Sequence, residues 1–308
     1  DRREQQIEGV TIVPAPPLHL VAVYLPLAFL LWPIARHRWV RSSICRIPYF
    51  EALDEAEIVV DLCGIAFVDR RGIPLLLYNV ACCLPAIVLG TPIAKLSQAM
   101  GPFRTALNRM TAAAVLKRCA LVICRGETSA AELRDLGIKP AWTLPDVTFC
   151  LEVSDSRHQR AEQLLSEVGI EGNPVVVSPS EVAKRLAERK GVDLIGELEQ
   201  LIKRVVNDVP AVLILPHSFG KAGTKNNDLY ICQELAARFV SVDKIVLLDN
   251  VRDPVLLRAI IGRAHLFIGC RFHAVASALA MRVPSLIIGW SHKYREMAAM
   301  FGADQWVV

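Results

Sequence analysis

Arg271 and His273 flank Phe272 in the stretch HLFIGCRFHAVASALA, just after an apolar run that reads as a buried strand and just before a small-residue run that reads as a helix. Where a strand hands over to a helix, backbone N–H groups are unpaired and the helix dipole favours an anion. A guanidinium at such a point offers a planar fork for carboxylate or phosphate and carries a permanent charge. An imidazole beside it can move a proton near neutral pH. Together they describe an anion site with an acid/base next to it. The same residues could also be structural, with Arg271 paired to a nearby carboxylate and His273 capping a carbonyl. Residue types alone leave these two readings in balance.

Other polar residues occupy similar positions. His217, in ILPHSFG, follows an apolar run and precedes the loop GKAGTKNND with Lys221, Lys225 and Asp228. That composition suits a ligand loop, though on its own it reads as a surface turn. Arg125, in VICRGETS, lies beyond another strand end and offers a second anion contact. Gly101 and Pro102, in SQAMGPF, allow a ligand to approach the backbone closely. Lys293 and Tyr294 follow the last apolar run, where they either join Arg271 or form a solvated helix start. Cys63 has no identifiable histidine partner and reads as a buried thiol rather than a nucleophile.

Elements that could position these residues alternate along the chain. Apolar runs at VTIVPA, AEIVVDLCG, TPIAKLSQAMG, ALVICRG and PAWTLPDVTF are separated by helical patterns such as IPLLLYNVACCLPAIVLG and ALNRMTAAAVLKRC. After a polar stretch around EVSDSRHQRAEQ the alternation restarts at PVVVSPS and runs through VPSLIIGW. Continuous apolar strands separated by helices predict parallel sheets covered on both faces. The expected fold class is α/β, with two facing Rossmann-like domains over residues 1–155 and 156–308 and a ligand cleft at their strand ends. Asp253 and Pro254 mark one helix start; Thr128 or Ser129 is expected to cap another, which Gly137 ends.

Composition narrows the function classes. In 308 residues, 53% are hydrophobic and 21% charged, which fits a well-buried globular chain. A net charge of +4 without a clustered basic face gives no support to nucleic-acid binding. The 9 cysteines are odd in number and lack a C-x-x-C, as expected of reduced thiols in a cytoplasmic protein, and their spacing predicts no metal site. The opening DRREQQIEG has neither an initiator Met nor a signal-peptide layout, so the first strand of the fold is expected upstream. Leu18–Ala35 approaches spanning length and is followed by RHRWVR, but Pro26 and Pro33 interrupt it. A buried or partly exposed amphipathic helix is expected there, with peripheral contact to the inner membrane face left open.

The segment IGCRFHAVASALAMRVPSLIIGWSHKYREMAAMFG resembles the closing signature of the polysaccharide pyruvyl transferase family. AEIVVDLCG, SQAMGP, CRGETSAAELRDLGI, LPDVTFCL and LPHSFG…ND stand in that family's order from about Glu57 onward. The sequence departs from the family pattern at Gly64-Ile65, where Gly-Gly is usual, and at Arg282, where Gly is usual. The resemblance implies a GT-B-like fold and transfer of the enolpyruvyl group of phosphoenolpyruvate to two sugar hydroxyls as a ketal, with phosphate released. It implies no redox cofactor; the partners would be phosphoenolpyruvate and a saccharide or lipid-linked saccharide. On that reading Arg271, Arg125, Lys293 and the Phe272–His273 backbone hold the donor. His273 is the first acid/base candidate, and His217 contacts acceptor or phosphate. A GT-B-like glycosyltransferase using a nucleotide-sugar, or a non-catalytic binding protein, would share the fold.

Overall fold

The computed structural model describes residues 9–34, 37–224 and 226–308. The chain divides into two compact units, Asp1–Asp146 and Val147–Val308.

In the first unit, β1 (Val59–Asp61), β2 (Ile65–Ala66), β3 (Ile93–Met100), β4 (Leu121–Arg125) and β5 (Trp142–Leu144) form a parallel sheet. The order is β1-β3-β4-β5, with β2 also paired to β3. The long apolar run after β2 is two helices, Ile73–Ala81 and Leu84–Leu89, rather than one. Pro85 lacks the N–H that a continuous helical ladder would require there. Lys95 on β3 is almost fully buried and pairs with Asp61 on β1, while Gln98 donates to the Asp61 carbonyl at 2.8 Å.

The N-terminal segment differs from expectation. Val10–Pro16 contains no strand, because Pro14 and Pro16 remove the N–H donors that a ladder would use. Helix runs instead from Pro17 to Leu31, through a wide turn at Leu20–Tyr24, and buries Leu20, Leu25 and Ala28. Ala35, the end of the predicted apolar segment, lies outside the described residues. Among the described residues no helix is long and apolar enough to cross a membrane. The helix after β4 also begins earlier than its cap signals suggested, at Gly126 with Arg125 as N-cap. Ser129 is used elsewhere, its hydroxyl accepting the Met100 N–H at 3.0 Å.

In the second unit, β6 (Val175–Ser178), β7 (Val212–Ile214), β8 (Ile245–Leu247), β9 (Leu266–Gly269) and β10 (Ser285–Ile287) form a parallel sheet in the order β10-β9-β6-β7-β8. Val176 faces one core with helices Asp155–Glu167, Pro254–Ile261, Phe272–Ala280 and His292–Ala299. Val175 and Val177 face the other, with helices Glu181–Glu188, Leu194–Val205 and Leu229–Ala237. The unit begins at Val147, slightly before the expected 155/156 boundary, because Phe149 and Val153 already pack on its core. Asp253 caps helix Pro254–Ile261 as its sequence signal predicted, accepting N–H bonds from Val255 and Leu256. The strand order reverses between β6 and β9, so their carboxyl ends flank a crevice not bridged by a crossover helix, the usual ligand position in such sheets.

Arg282 shows what its departure from glycine costs. It follows helix Phe272–Ala280 at φ 58°, and the Val283 N–H returns to the Ala278 carbonyl at 2.9 Å. A side chain in this left-handed conformation is strained where glycine is not. Arg282→Gly is therefore expected to raise unfolding free energy by about 1 kcal/mol, read by urea denaturation.

Candidate active site

Three strand ends of the second unit converge on Asp228, which has no solvent exposure. Arg271, the N-cap of helix Phe272–Ala280 just beyond β9, donates through Nε to Asp228 Oδ2 and through Nη2 to Oδ1, both at 2.7 Å. The Glu181 N–H, beyond β6, donates to Oδ1 at 3.0 Å. The Asp228 N–H donates to the Ser218 carbonyl, beyond β7, at 2.8 Å. One carboxylate thus ties together the loops after β6, β7 and β9. Burial pushes its pKa up, while the Arg271 guanidinium and the Glu181 N–H oppose that rise. Of the two readings of Arg271, pairing to a carboxylate is present in the structure, and it fixes the orientation of the guanidinium.

The turn carrying Arg271 is also held from the β10 side. Tyr294 Oη and Trp290 Nε1 both donate to the Cys270 carbonyl, at 2.7 and 3.1 Å. The Cys270 N–H donates to the Ser178 carbonyl at 3.0 Å, completing the β6–β9 pairing up to the turn. The Phe272 ring stands edge-on to His273, centroids 5.6 Å apart, and to Tyr294 at 5.9 Å. His273 lies in the first turn of its helix with its side chain exposed. Its carbonyl accepts a bond from Ser277 Oγ at 2.9 Å. Lys293 is half-buried in the first turn of helix His292–Ala299.

His217, beyond β7, belongs to the same electrostatic cluster. Burial, followed by the charges of His273 and Arg271, lowers its pKa from 6.5 to about 4, so it is a neutral imidazole at physiological pH. Because the native state binds this proton more weakly than the unfolded chain, stability is present above pH 6.5 and is lost as pH falls towards 4. Urea unfolding at about pH 5 is expected to show roughly 2 kcal/mol less stability from this group than at about pH 7. His217→Asn should flatten that part of the slope, and an unchanged slope would count against the assignment.

Two groups at the switch point were not singled out from sequence. Ser178 and Ser180, at and just after the end of β6, have no solvent exposure, and their hydroxyls have no hydrogen-bond partner among the described residues. A buried polar group without a partner is costly, and a bound water or ion is one way to satisfy it. The stretch PVVVSPSE carried the signal, two serines between an apolar strand and a helix start, but serine is too common at such junctions to be read alone.

The remaining candidates lie in the first unit. Arg125, at the end of β4, is largely buried and forms an ion pair with Asp146. Gly101 has φ 81°, and a Cβ there would come within 2.9 Å of Glu132 Cβ, a contact that by itself requires glycine. Pro102 follows it, exposed, across a cis peptide bond. Cys63 hydrogen bonds with Cys82, which lowers its pKa. Lys225 lies outside the described residues. Among the described residues no group of three or more His, Cys, Asp or Glu could hold a metal ion.

A sequence model described as polysaccharide pyruvyl transferase matches residues 26–292. Comparison with curated proteins gives no match. Among solved structures, the chain is similar to UDP-GlcNAc 2-epimerase from Neisseria meningitidis, with TM-score 0.55 and 11% identity over 94% of this chain and 69% of that one. It is also similar to a UDP-N-acetylglucosamine 2-epimerase from Listeria monocytogenes, with TM-score 0.54 and 13% identity over 82% of this chain and 64% of that one. The chain thus spans about two thirds of their length. At these identities the likeness shows the fold alone, parallel α/β units of the GT-B type, as expected from the sequence.

Proposed function

The chain belongs to the polysaccharide pyruvyl transferase family, and from that premise we propose that it moves the enolpyruvyl group of phosphoenolpyruvate onto two hydroxyls of a glycan or glycan precursor as a ketal. The observation that carries this reading is the cluster at the β6/β9 switch point. It combines a fixed guanidinium, two imidazoles and two buried hydroxyls with no partner among the described residues. An anion with two charged ends has matching donors there: the first-turn N–H groups of helix Phe272–Ala280, Arg271 and Lys293.

The chemistry requires one proton to reach the methylene carbon of the donor, which becomes the ketal methyl group. The adjacent carbon gains bonds to two acceptor oxygens, and its bond to the phosphate oxygen breaks with both electrons leaving on phosphate. The two acceptor hydroxyls release two protons, one replacing that used at carbon and one leaving with phosphate. His273, exposed in the first turn of its helix, is the group placed to deliver or remove a proton. His217, neutral at physiological pH, is suited to accept one from an acceptor hydroxyl or to bond phosphate. An anion bound beside His217 would offset the charges of His273 and Arg271, which add to burial in depressing its pKa. Donor binding should therefore raise that pKa and be accompanied by proton uptake that grows as pH falls.

Calorimetric titration of phosphoenolpyruvate in buffers of differing ionisation enthalpy tests binding and proton uptake together. Phosphate release that requires a saccharide acceptor tests turnover. A thermal shift with uridine diphosphate and no response to phosphoenolpyruvate would replace this reading with a nucleotide-sugar transferase. Donor binding without turnover across an acceptor panel would point to a non-catalytic binding protein.

A further inference from the structure

Helix Pro17–Leu31 faces solvent with a surface that water does not favour. Leu20, Leu25 and Ala28 point into the first unit, while Leu18, Phe29 and Leu30 are 75%, 61% and 74% exposed on the other side. Ala22 and Pro26 fall between them at helical spacing and are also exposed. From Leu18 to Ile34 the chain has no Asp, Glu, Lys or Arg. A surface helix of a soluble unit normally carries charge on its outer stripe. Here both stripes are apolar, so the outer one requires a cover other than water.

The neighbouring residues indicate the chemistry of that cover. Trp32 lies at the end of the helix, with the Arg118 guanidinium 5.5 Å from its ring centroid. Helix Arg38–Ile44 follows, with Arg38 exposed and Trp39 70% exposed. Arg41 pairs with Asp54 at 2.6 Å, and Arg46 is exposed beyond it. The whole stretch Leu18–Ile47 contains no acidic residue. Apolar side chains bordered by tryptophan and arginine match the acyl boundary and anionic headgroups of a lipid surface. No described helix is long and apolar enough to cross a bilayer, which leaves an orientation in the plane of its interface.

We propose that the outer face of helix Pro17–Leu31, with Trp32, Arg38, Trp39 and Arg46 at its border, docks on an anionic lipid bilayer. This is independent of the donor chemistry, because none of these residues belongs to the switch-point cluster. Its failure would leave the transferase reading intact, and the reverse also holds.

Co-sedimentation with vesicles of phosphatidylcholine alone, and of phosphatidylcholine with phosphatidylglycerol, tests it on the full chain. Binding is expected to the mixed vesicles, weaker to the neutral ones, and reduced by salt. The combined change Phe29→Asp and Leu30→Asp should lower the bound fraction roughly tenfold or more, with the melting temperature kept because both residues are exposed. Arg38→Gln with Arg46→Gln should remove the preference for anionic lipid. Unchanged vesicle binding in the Phe29/Leu30 variant would overturn the proposal. So would the absence of vesicle binding together with a wild-type dimer that the same variant turns into a monomer, since the face would then cover a second copy of the chain.

Discussion

Arg271→Ala is expected to lower unfolding free energy by about 3–5 kcal/mol and to abolish phosphoenolpyruvate binding. The first effect follows from Asp228, which has no exposure and would lose two charge-assisted bonds while its charge stayed inside the protein. The remaining Glu181 N–H cannot compensate for a guanidinium fork, and the carboxyl group would have to take up a proton to remain buried. Arg271→Lys keeps the charge but not the paired geometry, so it should recover only part of the loss. The binding effect is separated from the folding effect by Arg271→Met combined with Asp228→Leu. That variant buries no charge and should regain most of the stability, because replacing both members of a buried pair is often nearly neutral. Arg271 contributes to the donor site if binding stays lost in this stable variant. If phosphoenolpyruvate binds it as it binds the wild type, Arg271 is structural only.

His273→Ala is expected to act in the opposite way, with stability held within about 0.5 kcal/mol and turnover lowered by roughly 10²–10⁴-fold. Its side chain is exposed, so truncation removes little packing. Phosphoenolpyruvate affinity should change far less than the turnover number, because a group that moves a proton contributes mainly at the transition state. His273→Gln, which retains a hydrogen bond but cannot carry a proton near neutral pH, should be nearly as slow. Turnover within twofold of wild type in either variant would transfer the acid/base role to another group, with His217 the next to replace.

Much of this architecture is legible in local pattern. The runs VVVS, VLI, LFIG and SLI are short and apolar, and they alternate with helical segments, which is what a strand buried on both faces requires. The places where local reading failed have local reasons too. Pro14 and Pro16 cancel a strand that hydropathy favoured, and Pro85 divides a helix that periodicity joined. At Arg125 the helix start overrode the capping preference of Thr128 and Ser129, because Ser129 was needed to satisfy the Met100 N–H at the end of β3.

The sequence by itself determined the α/β class, the family, and the position of Arg271 and His273 at the junction between a strand and a helix. All three depend on neighbours within a few residues and on the order of motifs along the chain. Only the tertiary structure decided what those residues meet. Asp228 stands 43 positions from Arg271, and although its loop was a candidate for ligand contact, no local pattern pairs its carboxylate with that guanidinium. Ser178 and Ser180 became part of the site only because β9 pairs beside β6 rather than beyond β8. That order comes from closing two apolar cores around one sheet, a balance of burial summed over the whole unit that no short window of sequence contains.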